Sequence, residues 1–175
     1  MSRKIVLIGA GMMGTALTLP ASANGNVVHV VGTPLDREII EHAKKTHRQR
    51  TMDRKLPDTN VYYQIEELDK ALEGADFVIS GVSSFGVDWL LAEALPHVPE
   101  NVPVLVGFSG GADSMALLHM LKARAESDGF FLSAVNCEHG IRVADSLGDT
   151  RFVAEIFRNF KFTESDRAIP LSRWR

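Results

Sequence analysis

The sequence predicts an α/β protein of three layers, a doubly wound parallel sheet with helices on both faces. Three observations lead there. Short apolar runs of strand length alternate with helically patterned segments, the βαβα order that yields a parallel sheet. Two of these runs open straight into glycine-rich turns that lead into helices, Gly9-Ala10-Gly11-Met12-Met13-Gly14 after the first and Ser109-Gly110-Gly111-Ala112-Asp113-Ser114 after the fifth. A chain of 175 residues, 45% hydrophobic and 23% charged, suits one globular domain around a single core.

Lys4 to Ile8 is too short and too apolar for a helix and fits a strand buried on both faces. In the turn that follows, Gly9 permits the tight bend, Gly11 lets backbone approach a pyrophosphate, and Gly14 lets helix and strand pack closely. The plain alternative is a glycine turn that binds nothing. Met13 to Asn24 is helical in pattern, with Pro20 expected to kink it and Gly25 to close it; Val27 to Val31 is the second strand. That strand ends in Gly32-Thr33-Pro34 without the acid that would bond a ribose 2′-hydroxyl. Thr33 to Asp36 reads as a helix start, with an N-cap, a proline at the first helical position and an acid in the first turn. Thr33 and Arg37 could instead receive a 2′-phosphate.

Asp36 to Thr46 is predicted helical, and the basic run Lys44, Lys45, Arg48, Arg50, Arg54 and Lys55 is read as a solvated helix end and loop, since no aromatics interleave it. His42 and His47 lack the spacing of a helical metal pair, and no metal site is expected. Val61 to Tyr63 is a third strand, Ile65 to Leu72 a helix closed by Gly74, and Phe77 to Val82 a fourth strand. Val87 to Leu95 is a helix stopped by Pro96, Val102 to Val106 the fifth strand, and Phe130 to Cys137 the sixth. A net charge of -3 gives no global attraction to nucleic acid, and the single Cys137 excludes an internal disulfide and fits a reducing cytoplasm. No apolar run is long enough to span a bilayer, and neither export nor membrane insertion is expected.

Ile5 to Gly14, then Val31-Gly32-Thr33, then Ala75-Asp76-Phe77-Val78-Ile79-Ser80-Gly81-Val82-Ser83 resemble the cofactor half of NAD(P)-dependent glycerol-3-phosphate dehydrogenase in its archaeal-like form, over about residues 3 to 106. The resemblance implies a Rossmann-like fold in which Gly9, Gly11, Met12, Met13 and Gly14 hold the pyrophosphate of NAD or NADP, with Val82 and Ser83 lining the cleft. That family places a catalytic lysine after strand five, where this chain has Phe108, and carries a helical substrate domain that has no counterpart here; no catalytic residue is assigned.

Phe108 to His119 resembles the PP-loop of the N-type ATP pyrophosphatases, tRNA(Ile)-lysidine synthetase above all, and Glu138-His139-Gly140-Ile141-Arg142 resembles a later segment of the same family; the similarity covers about residues 102 to 160. It implies an alternative ligand, ATP with Mg, held by Ser109, Gly110, Gly111, Asp113 and Ser114. Glycines there expose consecutive amides and the new helix adds its positive end, while Asp113 would need a magnesium ion between itself and phosphate.

Together the two halves predict one domain over residues 1–160, a sheet of strand order 3-2-1-4-5-6 joined near residues 102–107, and a tail over 161–175. The expected protein is a nucleotide-binding scaffold, a fused or engineered chimera with residual NAD(P) affinity and no complete active site. ATP binding is the first alternative and a dehydrogenase fragment the second; a small-molecule nucleotide is the expected partner, with neither membrane nor nucleic acid.

Overall fold

A computed structural model describes residues 2–50, 54–98, 104–107, 111–130, 132–135 and 155–156. The chain divides into two compact units, Met1–Val102 and Pro103–Arg175.

In the first unit β1 (Lys4–Ile8) leads into α1 (Met12–Ala23), β2 (Val27–Val31) and α2 (Arg37–Thr46). After them come β3 (Arg48–Gln49), β4 (Arg54–Lys55) and β5 (Val61–Tyr63), then a 3-10 turn (Ile65–Glu67) running into α3 (Leu68–Leu72), and β6 (Phe77–Ser80). β2 pairs with β1 and β5, and β1 with β6, all parallel: His29 lies opposite Val6 and Val61, and Ile8 opposite Val31 and Ser80. Counting only the parallel strands, this is the order 3-2-1-4 that the βαβα reading predicts.

Strand alternation splits the core in two, because successive side chains leave opposite faces of the sheet. Val6, Ile8, Val31 and Tyr63 face Leu68, Ala71 and Leu72 of α3, with Leu90 and Ala94 beyond. Leu7, Val28, Val30 and Tyr62 face Ile40 and Ala43 of α2 and Leu56. The unit is thus three layers deep, with the buried strands reading as continuous apolar runs.

α1 runs through Pro20 to Ala23 with Asn24 as its C-cap, the extent its pattern predicts. Three local expectations change. Pro34 is not the first helical residue: it lies in a turn closed by the Asp36 amide donating to the Thr33 carbonyl (2.9 Å), and α2 starts at Arg37. Lys44 and Lys45 of the basic run lie in the last turn of α2 as expected, but its loop part holds an antiparallel strand pair, Arg48 opposite Lys55 and Gln49 opposite Arg54, with Gln49 buried. Pro96 does not stop the helix after β6: α4 (Val87–Trp89) widens to π-helical turns (Leu90–Ala94) and tightens to a 3-10 turn (Leu95–His97) that contains the proline. A proline in the first turn of a helical segment sacrifices an amide that has no partner there.

His29 on β2 stacks obliquely on Tyr63, ring centroids 5.1 Å apart, on the face where α3 packs. Burial first, then the Lys4 ammonium, pushes its pKa below 6.5, against a smaller opposing effect of the Ala71 backbone. The folded protein therefore binds fewer protons than the unfolded chain in the range below 6.5, and stability present above that pH is lost as pH falls through it. Urea unfolding at pH 7.5 and 5.5 is expected to give a lower midpoint at 5.5, and His29→Gln to reduce that difference; an unchanged difference would discount His29.

The second unit's described part is one βαβ unit. β7 (Val104–Gly107) and β8 (Leu132–Val135) are parallel neighbours in register from Val104 opposite Leu132 to Gly107 opposite Val135, joined through α5 (Ala112–Asp128). Leu118 and Leu121 are the buried residues of α5, and Gly129, at φ +78°, ends it in the left-handed conformation glycine tolerates. Phe108, Ser109, Gly110, Cys137, the 138–142 segment and the 161–175 tail lie outside the described residues. Among the described residues no helix is long and apolar enough to cross a membrane.

Candidate functional site

β1, β2 and β6 each end directly on a glycine, Gly9, Gly32 and Gly81. The ladder continues one step into each: the Gly9 amide donates to Val31 (2.8 Å), Gly32 to Tyr63 (3.0 Å) and Gly81 to Ile8 (2.7 Å). At this carboxyl edge Gly9 turns at φ +106°, and a Cβ on it would lie 2.9 Å from the Gly81 carbonyl carbon. A Cβ on Gly14 would lie 2.2 Å from the Gly9 oxygen, and one on Gly81 2.6 Å from the Gly14 Cα. Gly9, Gly14 and Gly81 therefore form a contact of backbone on backbone that brings the start of α1 against the ends of β1 and β6. Gly81's part in this was missed in the sequence; a glycine ending the fourth strand, as Gly9 ends the first, was the available signal.

Gly11 differs from these three. At φ -62° it is open to any residue, and a Cβ built on it meets nothing within 4 Å. It is the N-cap of α1, no side chain caps that end, and the first turn holds no acid. The first helical bond runs from the Thr15 amide to the Gly11 carbonyl (2.9 Å), so the amides of Met12 and Met13 belong to the donors a helix start leaves over. Both methionine side chains are exposed, and backbone rather than side chain is what this loop offers a ligand. An uncapped helix start with an empty approach over glycine is a cradle that fits a pyrophosphate.

Thr33 stands at the tip of β2, half-buried. Its hydroxyl and amide both donate to Asp36 Oδ2, at 2.8 and 2.9 Å. Asp36 therefore occupies the N-cap place of α2 without capping it with its side chain, which reaches back instead to Thr33 and to the Ala10 amide at 3.1 Å. The Arg37 guanidinium pairs with the Glu66 carboxylate, which raises the one pKa and lowers the other. Both side chains are more than half exposed, so this bridge is weak. Val82 packs onto the α3 side of the core, while Ser83 is exposed and its carbonyl accepts from the Gly86 amide.

In the second unit Gly111 is the N-cap of α5, and Asp113 lies in the first turn. The Ser114 hydroxyl donates to the Gly111 carbonyl at 2.9 Å, so the hydroxyl expected to face a phosphate makes a local helix-start bond.

Comparison with known proteins finds two families whose matches overlap over residues 89–126. The PP-loop domain family matches residues 89–170. The tRNA(Ile)-lysidine synthase of Solibacter usitatus is 49% identical over 53 residues, 30% of this chain and 11% of that protein. The NADP(+)-dependent glycerol-3-phosphate dehydrogenase of Archaeoglobus fulgidus is 34% identical over 102 residues, 58% of this chain and 30% of that protein. The chain thus spans about a third or less of the length of these relatives. Among solved structures, glycerol-3-phosphate dehydrogenase from Coxiella burnetii shares the fold with a TM-score of 0.60 at 15% identity, over 93% of this chain and 52% of that one. Residues 4–126, well over half the chain, match the NAD-dependent glycerol-3-phosphate dehydrogenase N-terminus family, and to that family the chain belongs.

Proposed function

We propose that this chain is a dinucleotide-binding scaffold that holds NAD or NADP at the carboxyl edge of β1 and β2 and does not by itself oxidise glycerol 3-phosphate. The observation that carries the reading is the α1 start, uncapped and free of acid, with open space over Gly11. The loop of Gly9, Gly11, Met12, Met13 and Gly14 would take the pyrophosphate, with the amides of Gly11, Met12 and Met13 as donors and Gly9 and Gly14 shaping the turn, Thr33 would meet the adenosine ribose, and Val82 with Ser83 would line the cleft beyond β6. The cofactor would supply hydride chemistry; the chain's own share is binding and orientation. The catalytic lysine that the resemblance implies is replaced by Phe108, which supports binding without turnover.

Calorimetry with NADH and with NADPH tests this. Binding is expected for the parent, weakened at least tenfold in Gly11→Ala, a loss of about 1.4 kcal/mol or more. No heat with either nucleotide would overturn the reading.

The PP-loop match favours a second reading, ATP with Mg at Ser109, Gly110, Gly111, Asp113 and Ser114. A Gly111→Asp variant that binds ATP-magnesium as well as the parent would remove it. On either reading the protein is a fusion of two nucleotide-binding halves, and its one cysteine fits a reducing cytoplasm.

A structural proposal goes with both, that residues 1–160 fold as one domain followed by a tail over 161–175. Its support is the sequence pattern, in which strands and helices alternate without a break across residue 102 as one βαβ series. One urea transition, shared by far-UV circular dichroism and by Trp89 fluorescence in a Trp174→Phe background, is expected; two separated transitions would overturn it.

A further inference from the structure

The two loops proposed to hold the dinucleotide are tied together by one buried side chain. Asp36 is 9% exposed, and its Oδ2 accepts three hydrogen bonds: from the Ala10 amide in the loop after β1 (3.1 Å), and from the amide (2.9 Å) and hydroxyl (2.8 Å) of Thr33 in the turn after β2. An acceptor oxygen shared by two backbone amides and a hydroxyl ties the groups that donate to it into one unit. The backbone is shaped to admit it. A Cβ on Gly32 would lie 2.6 Å from Ile40 Cγ1 and 3.2 Å from Asp36 Cβ, so only glycine before Thr33 lets the first turn of α2 come this close. The Ile40 amide bonded to the Asp36 carbonyl (2.9 Å) then anchors the aspartate to α2 itself.

We propose that Asp36 is a positioning residue for the dinucleotide, a strut that sets the distance between the phosphate loop at Ala10 and the ribose turn at Thr33. This rests on the dinucleotide reading and deepens it. The bonding oxygen of Asp36 is turned inward to the protein, onto the two loops. It also directs the Ala10 amide away from the ligand, leaving phosphate to the amides of Gly11, Met12 and Met13. The Thr33 hydroxyl, its proton given to Asp36 and its oxygen accepting from the Leu35 amide (3.3 Å), is held in one rotamer before any ligand arrives. Preorganisation of this kind raises affinity by removing the cost of ordering on binding.

A strut between two loops matters to a ligand that touches both and little to one that touches a single loop. Asp36→Ala is therefore expected to lower NADH affinity at least about tenfold while inorganic pyrophosphate loses less than about threefold, a contrast that general destabilisation would not produce. Asp36→Asn, which keeps an acceptor oxygen in place, is expected to restore NADH affinity to within about threefold of the parent. Should Asp36→Ala not fold, Asp36→Ser, whose hydroxyl is too short to meet both loops, replaces it with the same expectation. If the parent binds NADH and the Ala or Ser variant binds it equally well, or if pyrophosphate and NADH lose affinity alike, Asp36 is not a strut and the dinucleotide reading stands. If the parent binds neither NADH nor NADPH, both fall together.

Discussion

Gly14→Ala is expected to destabilise the protein by on the order of 3 kcal/mol or more, while Gly11→Ala, three residues away in the same motif, changes stability by less than about 1 kcal/mol. The added methyl at Gly14 would sit 2.2 Å from the Gly9 oxygen, 3.2 Å from Leu7 Cδ2 and 3.3 Å from the Gly81 Cα. The closest of these atoms is backbone, and Gly9 is itself held by its bond to Val31, so no side chain can swing aside. Relief requires moving the start of α1 off the sheet, with loss of packing behind it. At Gly11 the same methyl meets nothing within 4 Å. Urea midpoints of the two variants measure the difference directly; a Gly14→Ala protein as stable as Gly11→Ala would mean that the backbone contact of Gly9, Gly14 and Gly81 is not as close as described. The pair also separates stability from binding, since Gly11 is the glycine whose loss should cost nucleotide affinity and little else.

Ile40→Ala should cost about 2–5 kcal/mol, toward the upper end of that range. Ile40 is fully buried between α2 and the sheet, among Val28, Val30, Leu56 and Tyr62. The cost of a cavity depends on how far its walls can close, and one wall here is the backbone of Gly32, which has no side chain to move inward. For a domain of this size the melting temperature should fall by roughly 10 °C or more. The same variant loosens the seat of Asp36, so NADH affinity is expected to fall with stability. Ile39→Ala, at a partly buried neighbour, should lower the melting temperature less. Equal melting temperatures for the two variants would contradict the packing described.

Much of this was legible in the residues. The apolar runs at 4–8, 27–31, 61–63 and 77–80 are strands within a residue or two of their expected limits, because strand and helix periods are local properties of the chain. The glycine motif could be placed at a helix start for the same reason. What was misread depended on contacts beyond a few residues. The basic run looked like a solvated helix end and loop; the helix end is there, but nothing in its composition marks Gln49 for burial or Arg48 for pairing with Lys55. Asp36 looked like a capping acid, and it does stand at the N-cap; where its carboxylate goes is set by Ala10, 26 residues earlier.

By itself, then, the order of residues determined the alternation of strands and helices, the glycines at the turns and the likeness to two nucleotide-binding families, all carried by short-range pattern. Tertiary structure alone decided which glycines touch. Gly9, Gly14 and Gly81 meet because β1 lies beside β6, whereas Gly11 is left facing open space. It also decided that Asp36 turns inward, because pairing β1 with β2 sets the Ala10 loop beside the Thr33 turn at a distance one carboxylate can bridge.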